Sequence, residues 1–237
     1  MNKIEYIKKY YKDFYIDKGG EGGELQGMKY AGCSTHCRAC NNALTRMFKP
    51  KSALEIGSWR YDSSKSISNA MDTYLKEYEG VIYSFDIKYG GYDGIGRTEN
   101  LPNRIKPMYW YKFNSNYDEW AYYDQGIVYK DFMNYTNDQI FEKNKKILME
   151  IAPKNGFDHI FIDGDHSYEG VKRDWELALS VSHKDTLIVF DNIWDIRLND
   201  VRLFFNDLKT IKWDFEEWND LHKDCNMVQD NGVSLIY

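Results

Sequence analysis

After Pro50 the chain repeats one pattern: a short, nearly uninterrupted apolar run, then apolar residues at helical spacing. The runs fall at 53–57, 81–87, 126–132, 157–162 and 186–190. Strands that read as continuous apolar segments are buried on both faces, which is the condition of a parallel sheet covered by helices. The helical stripes between them are Ile67, Ala70, Met71, Tyr74, Leu75 and Tyr78 up to Gly80, then Ile140, Ile147, Leu148 and Ile151 before Pro153. Val171, Trp175, Ala178 and Leu179 form a third stripe, and Val201, Phe204, Phe205 and Leu208 a fourth. Segments 213–218 and 233–237 read as two final strands with no crossover helix between them, which predicts an antiparallel pair at the sheet edge. The expected fold is therefore α/β, with seven strands, mostly parallel, and helices on both faces.

Two regions stand apart. Residues 1–50 open with a basic, aromatic segment and a glycine cluster. They end in a stretch that puts Cys33, Cys37, Cys40, Leu44, Met47 and Phe48 on one helical face, so they read as an N-terminal helical extension to a domain spanning 51–237. Residues 88–125 form an aromatic-rich insertion too long for an ordinary connection. Its rings suit a wall for a sugar or aromatic ligand, and equally the packing of a long loop or a contact in a homo-oligomer.

The three N-terminal cysteines and Cys225 are the chain's four thiols. The C-x₃-C-x₂-C spacing occurs in metal sites, but placement on an apolar helix stripe favours buried thiols packing as small hydrophobes. Zinc held with His36 or Cys225 is the alternative. With 31 basic against 37 acidic residues the net charge is −6, which supplies no general attraction to nucleic acid. No apolar run reaches the roughly 20 residues that span a bilayer, and the N-terminus has no apolar signal core, so a cytoplasmic protein without a membrane partner is expected.

In an open α/β sheet, ligands bind beyond the carboxyl ends of the strands. Four such ends carry polar residues. The first is Glu55-Ile56-Gly57-Ser58, followed by the helix-starting types Asp62, Ser63 and Ser64. The second is Asp86, placed to accept the hydroxyls of a ribose. Phe161-Ile162-Asp163-Gly164-Asp165-His166 ends the fourth run, and Phe190-Asp191-Asn192 the fifth. Adjacent parallel strands would bring Asp163, Asp191 and Asn192 together as three oxygen donors, a set suited to a hard cation such as Mg²⁺. His166 lies close enough to take a proton from a hydroxyl held there. Turn-forming Asp and Asn residues are the plain alternative.

This motif series resembles that of the class I S-adenosylmethionine-dependent methyltransferases, whose fold is Rossmann-like, over residues 44 to 237. It is similar to the small cation-dependent O-methyltransferases of catechol and caffeoyl-CoA type. The run from Asp163 through Ser167, Tyr168, Glu169, Gly170 and Val171 to Asp174 is also similar to the macrocin O-methyltransferase-like sugar enzymes. The resemblance implies S-adenosylmethionine as cofactor, Mg²⁺ or another divalent cation as helper, and the hydroxyl of a small molecule or sugar as acceptor. It implies that Glu55, Gly57, Ser58, Ser63 and Asp163 belong to the cofactor site, with Asp86 on the ribose and Asp131 and Phe132 beside the adenine. It further implies Asp163, Asp191 and Asn192 as metal ligands, with Asp165 an alternative, and His166 as the general base. The chain departs from the pattern at Tyr61, where the family's first loop carries a second glycine. Metal-independent transfer to nitrogen or oxygen, and a non-catalytic nucleotide-binding module, are the competing readings.

Overall fold

The computed structural model describes residues 1–14, 35–58, 61–76, 78–86, 101–109, 135–194, 198–215 and 232–235. In chain order the elements are α1 (Lys3–Phe14), α2 (Thr35–Phe48), β1 (Ser52–Ile56), α3 (Asp62–Met71), β2 (Val81–Asp86), β3 (Ile105–Tyr109), α4 (Asn137–Ile151), β4 (Phe157–Ile162), α5 (Tyr168–Ser180), β5 (Ser182–Phe190), α6 (Asn199–Asp207), β6 (Ile211–Trp213) and β7 (Gly232–Leu235). The sheet has seven strands in the order β3-β2-β1-β4-β5-β7-β6. β1 to β5 pair in parallel, whereas β7 runs antiparallel to both β5 and β6.

Side-chain alternation along each strand divides the core in two. Leu54, Ile56, Ile160, Ile162, Ile188 and Phe190 face α4, α5 and α6, packing with Leu148, Trp175, Leu177 and Phe205. Phe161, Leu187, Val189 and Val233 face the other way, onto Ile4, Ile7 and Tyr11 of α1 and Cys37, Cys40 and Leu44 of α2. Helices α1 and α2 thus supply cover for the sheet itself. Cys37 and Cys40 are fully buried within that layer. Cys33 and Cys225 lie outside the described residues.

Several boundaries differ from the sequence reading, among them the start of β5, which begins at Ser182 rather than at 186. The stripe running to Gly80 predicts a longer helix, but α3 ends at Met71. The chain then turns: the Thr73 hydroxyl donates to the Ala70 carbonyl at 2.8 Å, and the Tyr74 hydroxyl to that of Pro50 at 2.8 Å. β3 lies inside the span read as an irregular insertion. Its Ile-Lys-Pro-Met-Tyr sequence hides a strand because proline cannot donate to a ladder; β3 is the outermost strand, where one side needs no partner. β6 begins at Ile211, earlier than expected. The strand predicted at 126–132 lies outside the described residues.

Candidate active site

Register brings the polar strand ends together. Ile56 pairs with Phe85 on one side and with Ile162 on the other, and Ile162 pairs with Phe190. The residue after each therefore stands in one row along the carboxyl edge: Gly57, Asp86, Asp163 and Asp191. The ladder continues into the row, with the N–H of Gly57 donating to Phe85, that of Asp163 to Ile56 and that of Asp191 to Ile162, at 2.8, 2.8 and 3.0 Å. At an interstrand spacing of about 4.8 Å, Asp163 and Asp191 are immediate neighbours despite their distance in sequence. The chain leaves β1 for β2 and β3, then returns to β4 on the opposite side of β1. The row thus straddles the point where strand order reverses, the place ligands occupy in such sheets.

At the β1 end, Gly57 has φ +89°, and a Cβ there would fall 1.9 Å from the Asp163 carbonyl oxygen. Only glycine lets these two strand ends meet. Ser58 is 4% exposed, and its hydroxyl has no hydrogen-bond partner among the described residues. A buried orphan hydroxyl costs free energy unless a ligand meets it. Ser63 is buried in the first turn of α3, and the helix's N-cap residue, Tyr61, makes no side-chain cap. An α3 N-terminus without such a cap can serve an anionic ligand group.

Glu55 sits two residues inside the row and is buried. Its carboxyl accepts from the hydroxyls of Ser64 on α3 and Ser84 on β2, and Ser84 is its cross-strand partner. Burial, which outweighs those two hydrogen bonds, pushes the carboxyl up to about 8, so Glu55 is a protonated strut at neutral pH. The sequence reading missed this lock. A serine at the β2 position level with Glu55, in an otherwise apolar run, was the available signal. Asp86 ends β2 half-buried at the edge, whereas Asp131 and Phe132 lie outside the described residues.

The β4 and β5 ends meet through His166. Its Nε2 lies 3.0 Å from Asn192 Oδ1 and 3.4 Å from Asp163 Oδ1. Asn192 adopts φ +59°, a left-handed conformation asparagine tolerates well, and this turns its side chain back over the β4 end. Burial drives the His166 imidazole downward, but Asp163, Asp191 and Asn192 together outweigh it and raise it to about 9. These neighbours favour the protonated ring, with Nε2 within reach of both oxygens. Asp165 faces elsewhere: its Oδ1 accepts from the N–H and the hydroxyl of Ser167, at 2.9 and 2.8 Å.

Two carboxylates and an amide oxygen, without a thiol, have the donor chemistry of a hard divalent cation. Two of these three groups, Asp163 and Asn192, already present an oxygen to one point, where His166 Nε2 now sits. Among the described residues no group of three or more His, Cys, Asp or Glu side chains forms a metal cluster. A cation here would thus rest on Asp163, Asp191 and Asn192, and would compete with the His166 ring for two of them.

Residues 54–193 match the family model described as "Methyltransferase domain". No curated protein matches the chain by sequence. Among solved structures, the fold is similar to that of an O-methyltransferase from Bacillus cereus in complex with SAH, with TM-score 0.54, 14% identity, and 98% of this chain and 90% of that one covered. It is similar to the O-methyltransferase TomG from Streptomyces achromogenes, in complex with SAM, with TM-score 0.53, 13% identity and coverage of 100% and 99%. It is similar also to the SAH-bound methyltransferase PaMTH1 of Podospora anserina, with TM-score 0.54, 12% identity and coverage of 100% and 97%. The family match spans more than half the chain and includes every described member of the polar row, so this protein belongs to the methyltransferase-domain family, the class I S-adenosylmethionine-dependent enzymes whose motif series it carries.

Proposed function

We propose that the chain transfers a methyl group from S-adenosylmethionine to a hydroxyl of a small molecule or sugar. The observation that carries this reading is the row of Gly57, Asp86, Asp163 and Asp191 at the strand-order reversal, with the orphan Ser58 hydroxyl beside it. Gly57, Ser58 and Ser63 hold the methionine part, Asp86 accepts the ribose hydroxyls, and Asp131 with Phe132 flanks the adenine. The acceptor oxygen attacks the sulfonium methyl in line. A C–O bond forms as the C–S bond breaks, and its electron pair stays on sulfur to give S-adenosylhomocysteine. Holding oxygen, carbon and sulfur in line removes much of the orientational cost of the step.

The acceptor's proton goes to His166 Nε2. That requires a neutral ring, so whatever engages Asp163 and Asn192 must first release His166 from them. A divalent cation on Asp163, Asp191 and Asn192, when bound, would lower the hydroxyl pKa and fix the oxygen's direction.

Calorimetry with S-adenosylhomocysteine tests the reading. Wild type should bind, and Asp86→Ala should weaken binding by about 10- to 100-fold, the worth of hydrogen bonds to a charged group. Absence of binding at millimolar ligand would favour the non-catalytic module. Mg²⁺ should add heat in wild type that disappears in Asp191→Ala. No such heat in either protein would leave the metal-independent reading.

A further inference from the structure

Resting on that reading, we propose that Asp174 is a positioning residue that holds the β4–α5 loop in shape and thereby aims His166 between Asp163 and Asn192. Asp174 lies on α5, is 2% exposed, and touches no part of the polar row through its own side chain among the contacts described. Its Oδ2 accepts the backbone N–H of Asp165 at 3.2 Å. The same oxygen lies against Gly164, where an added Cβ would come within 2.3 Å of it. The carboxyl thus occupies the space that a side chain at 164 would need.

The rest of the loop is built onto that contact. With its N–H anchored on Asp174, Asp165 uses Oδ1 to take both donors of Ser167. Ser167 in turn caps α5, its hydroxyl accepting the Gly170 N–H at 3.1 Å. Gly170 must be bare, since a Cβ there would fall 2.1 Å from the Asp165 carboxyl carbon. Positions 164, 165, 167, 170 and 174 are thereby explained as one interlocked scaffold. His166 is the loop residue whose side chain points out of it, toward Asn192 and Asp163.

Burying a carboxyl here is costly, and desolvation pushes Asp174 up to about 7. A helix residue meant only to fill space would be apolar. A polar acceptor at 174 meets the Asp165 N–H, which in its absence would face an apolar side chain unpaired. The His166 ring hangs on the next residue, so the loop's path sets where Nε2 can reach.

Side-chain NMR of the five histidines tests this, with His166→Gln identifying the His166 signal. Asp174→Asn keeps an acceptor in place and should move the His166 signal only by the small loss of the coulombic interaction between the two groups. Asp174→Leu removes the acceptor and should shift that signal while His159 and His183 stay put. A His166 signal unmoved by Leu, or moved as far by Asn as by Leu, overturns the proposal. If Asp174→Leu does not fold, Gly164→Ala, which drives the loop off the same carboxyl, is read in its place against the same two outcomes. Failure of wild type to bind S-adenosylhomocysteine sinks the methyl-transfer reading instead, and leaves the loop result standing.

Discussion

Tyr61 shows how a departure from a family pattern can be absorbed by one residue. The backbone there keeps the left-handed conformation a glycine would adopt, with φ 60° and ψ 22°. For a tyrosine this costs about 1–2 kcal/mol. The ring, 1% exposed, packs with Ala53, Ile67, Met71, Ile82 and Ile105, and burial of that size contributes more than the strain removes. Tyr61→Gly should therefore destabilise the protein by about 2–4 kcal/mol, the usual loss for a large buried ring less the strain relieved. Urea denaturation giving equal or higher stability would contradict this. Glu55 gives a pH-dependent counterpart. Its folded-state pKa of about 8 lies above the ordinary 4.5, so the unfolded chain holds fewer protons between those values. The stability Glu55 contributes is full below about 4.5 and is lost as pH rises through 8. Glu55→Gln should flatten that decline, and denaturation curves of the two proteins at pH 5 and pH 8.5 would reveal it. The charge states of neither Glu55 nor His166 were legible in the sequence, because both depend on what register and burial place beside them.

At the scale of elements, α2 and β4 are joined by a buried polar contact inside an apolar layer. His159 Nε2 lies 3.1 Å from Asn41 Oδ1, and the Asn41 amide donates to the Cys37 carbonyl at 3.3 Å. Burial, with nearby Lys3 adding to it, lowers the His159 imidazole to about 4. A neutral buried histidine is lost to the unfolded state on acidification: protein stability should fall as pH drops from about 6.5 to 4, and His159→Gln should blunt that fall in thermal melts. This window is the mirror of the one Glu55 imposes. Deleting apolar volume in the same layer should cost more: Ile7→Ala on α1 is expected to lose about 2–5 kcal/mol if α1 is part of the core, and under 1 kcal/mol if it is a loosely attached arm. Element type was readable wherever periodicity was clean, as in β4, α5 and α6. It failed at β3, where Pro107 breaks the apolar run, and at the end of α3, where tertiary bonds from Thr73 and Tyr74 stop a stripe that continues on paper.

For the whole molecule, the two edges of the sheet have different tasks. At the amino edge Asp158 ties the start of β4 to β1, its Oδ2 accepting the N–H groups of Lys51 and Ser52 and the Ser52 hydroxyl, and its Oδ1 facing His183 at 3.2 Å. Those polar groups have partners within the protein. At the carboxyl edge the polar groups either lock the framework, as Glu55 does, or stand at the crevice with bonding capacity to spare, as Ser58 does. The chain's polar strand ends could be read directly as a list of candidates. Their convergence could not, because it depends on strand order and register, which local periodicity leaves open. The asymmetry makes a prediction for hydrogen exchange. Saturating S-adenosylhomocysteine should protect amides at 55–58, 61–66, 84–86 and 163–168, where ligand contact suppresses local opening. Amides at 51–53 and 183–186, on the opposite edge, should exchange at unchanged rates unless global unfolding is their only route. Protection confined to the amino edge would place the ligand on the wrong side of the sheet and undo the assignment of Gly57, Asp86, Asp163 and Asp191 together. Protection at the carboxyl edge that stops short of 163–168 would instead separate cofactor binding from the loop that carries His166.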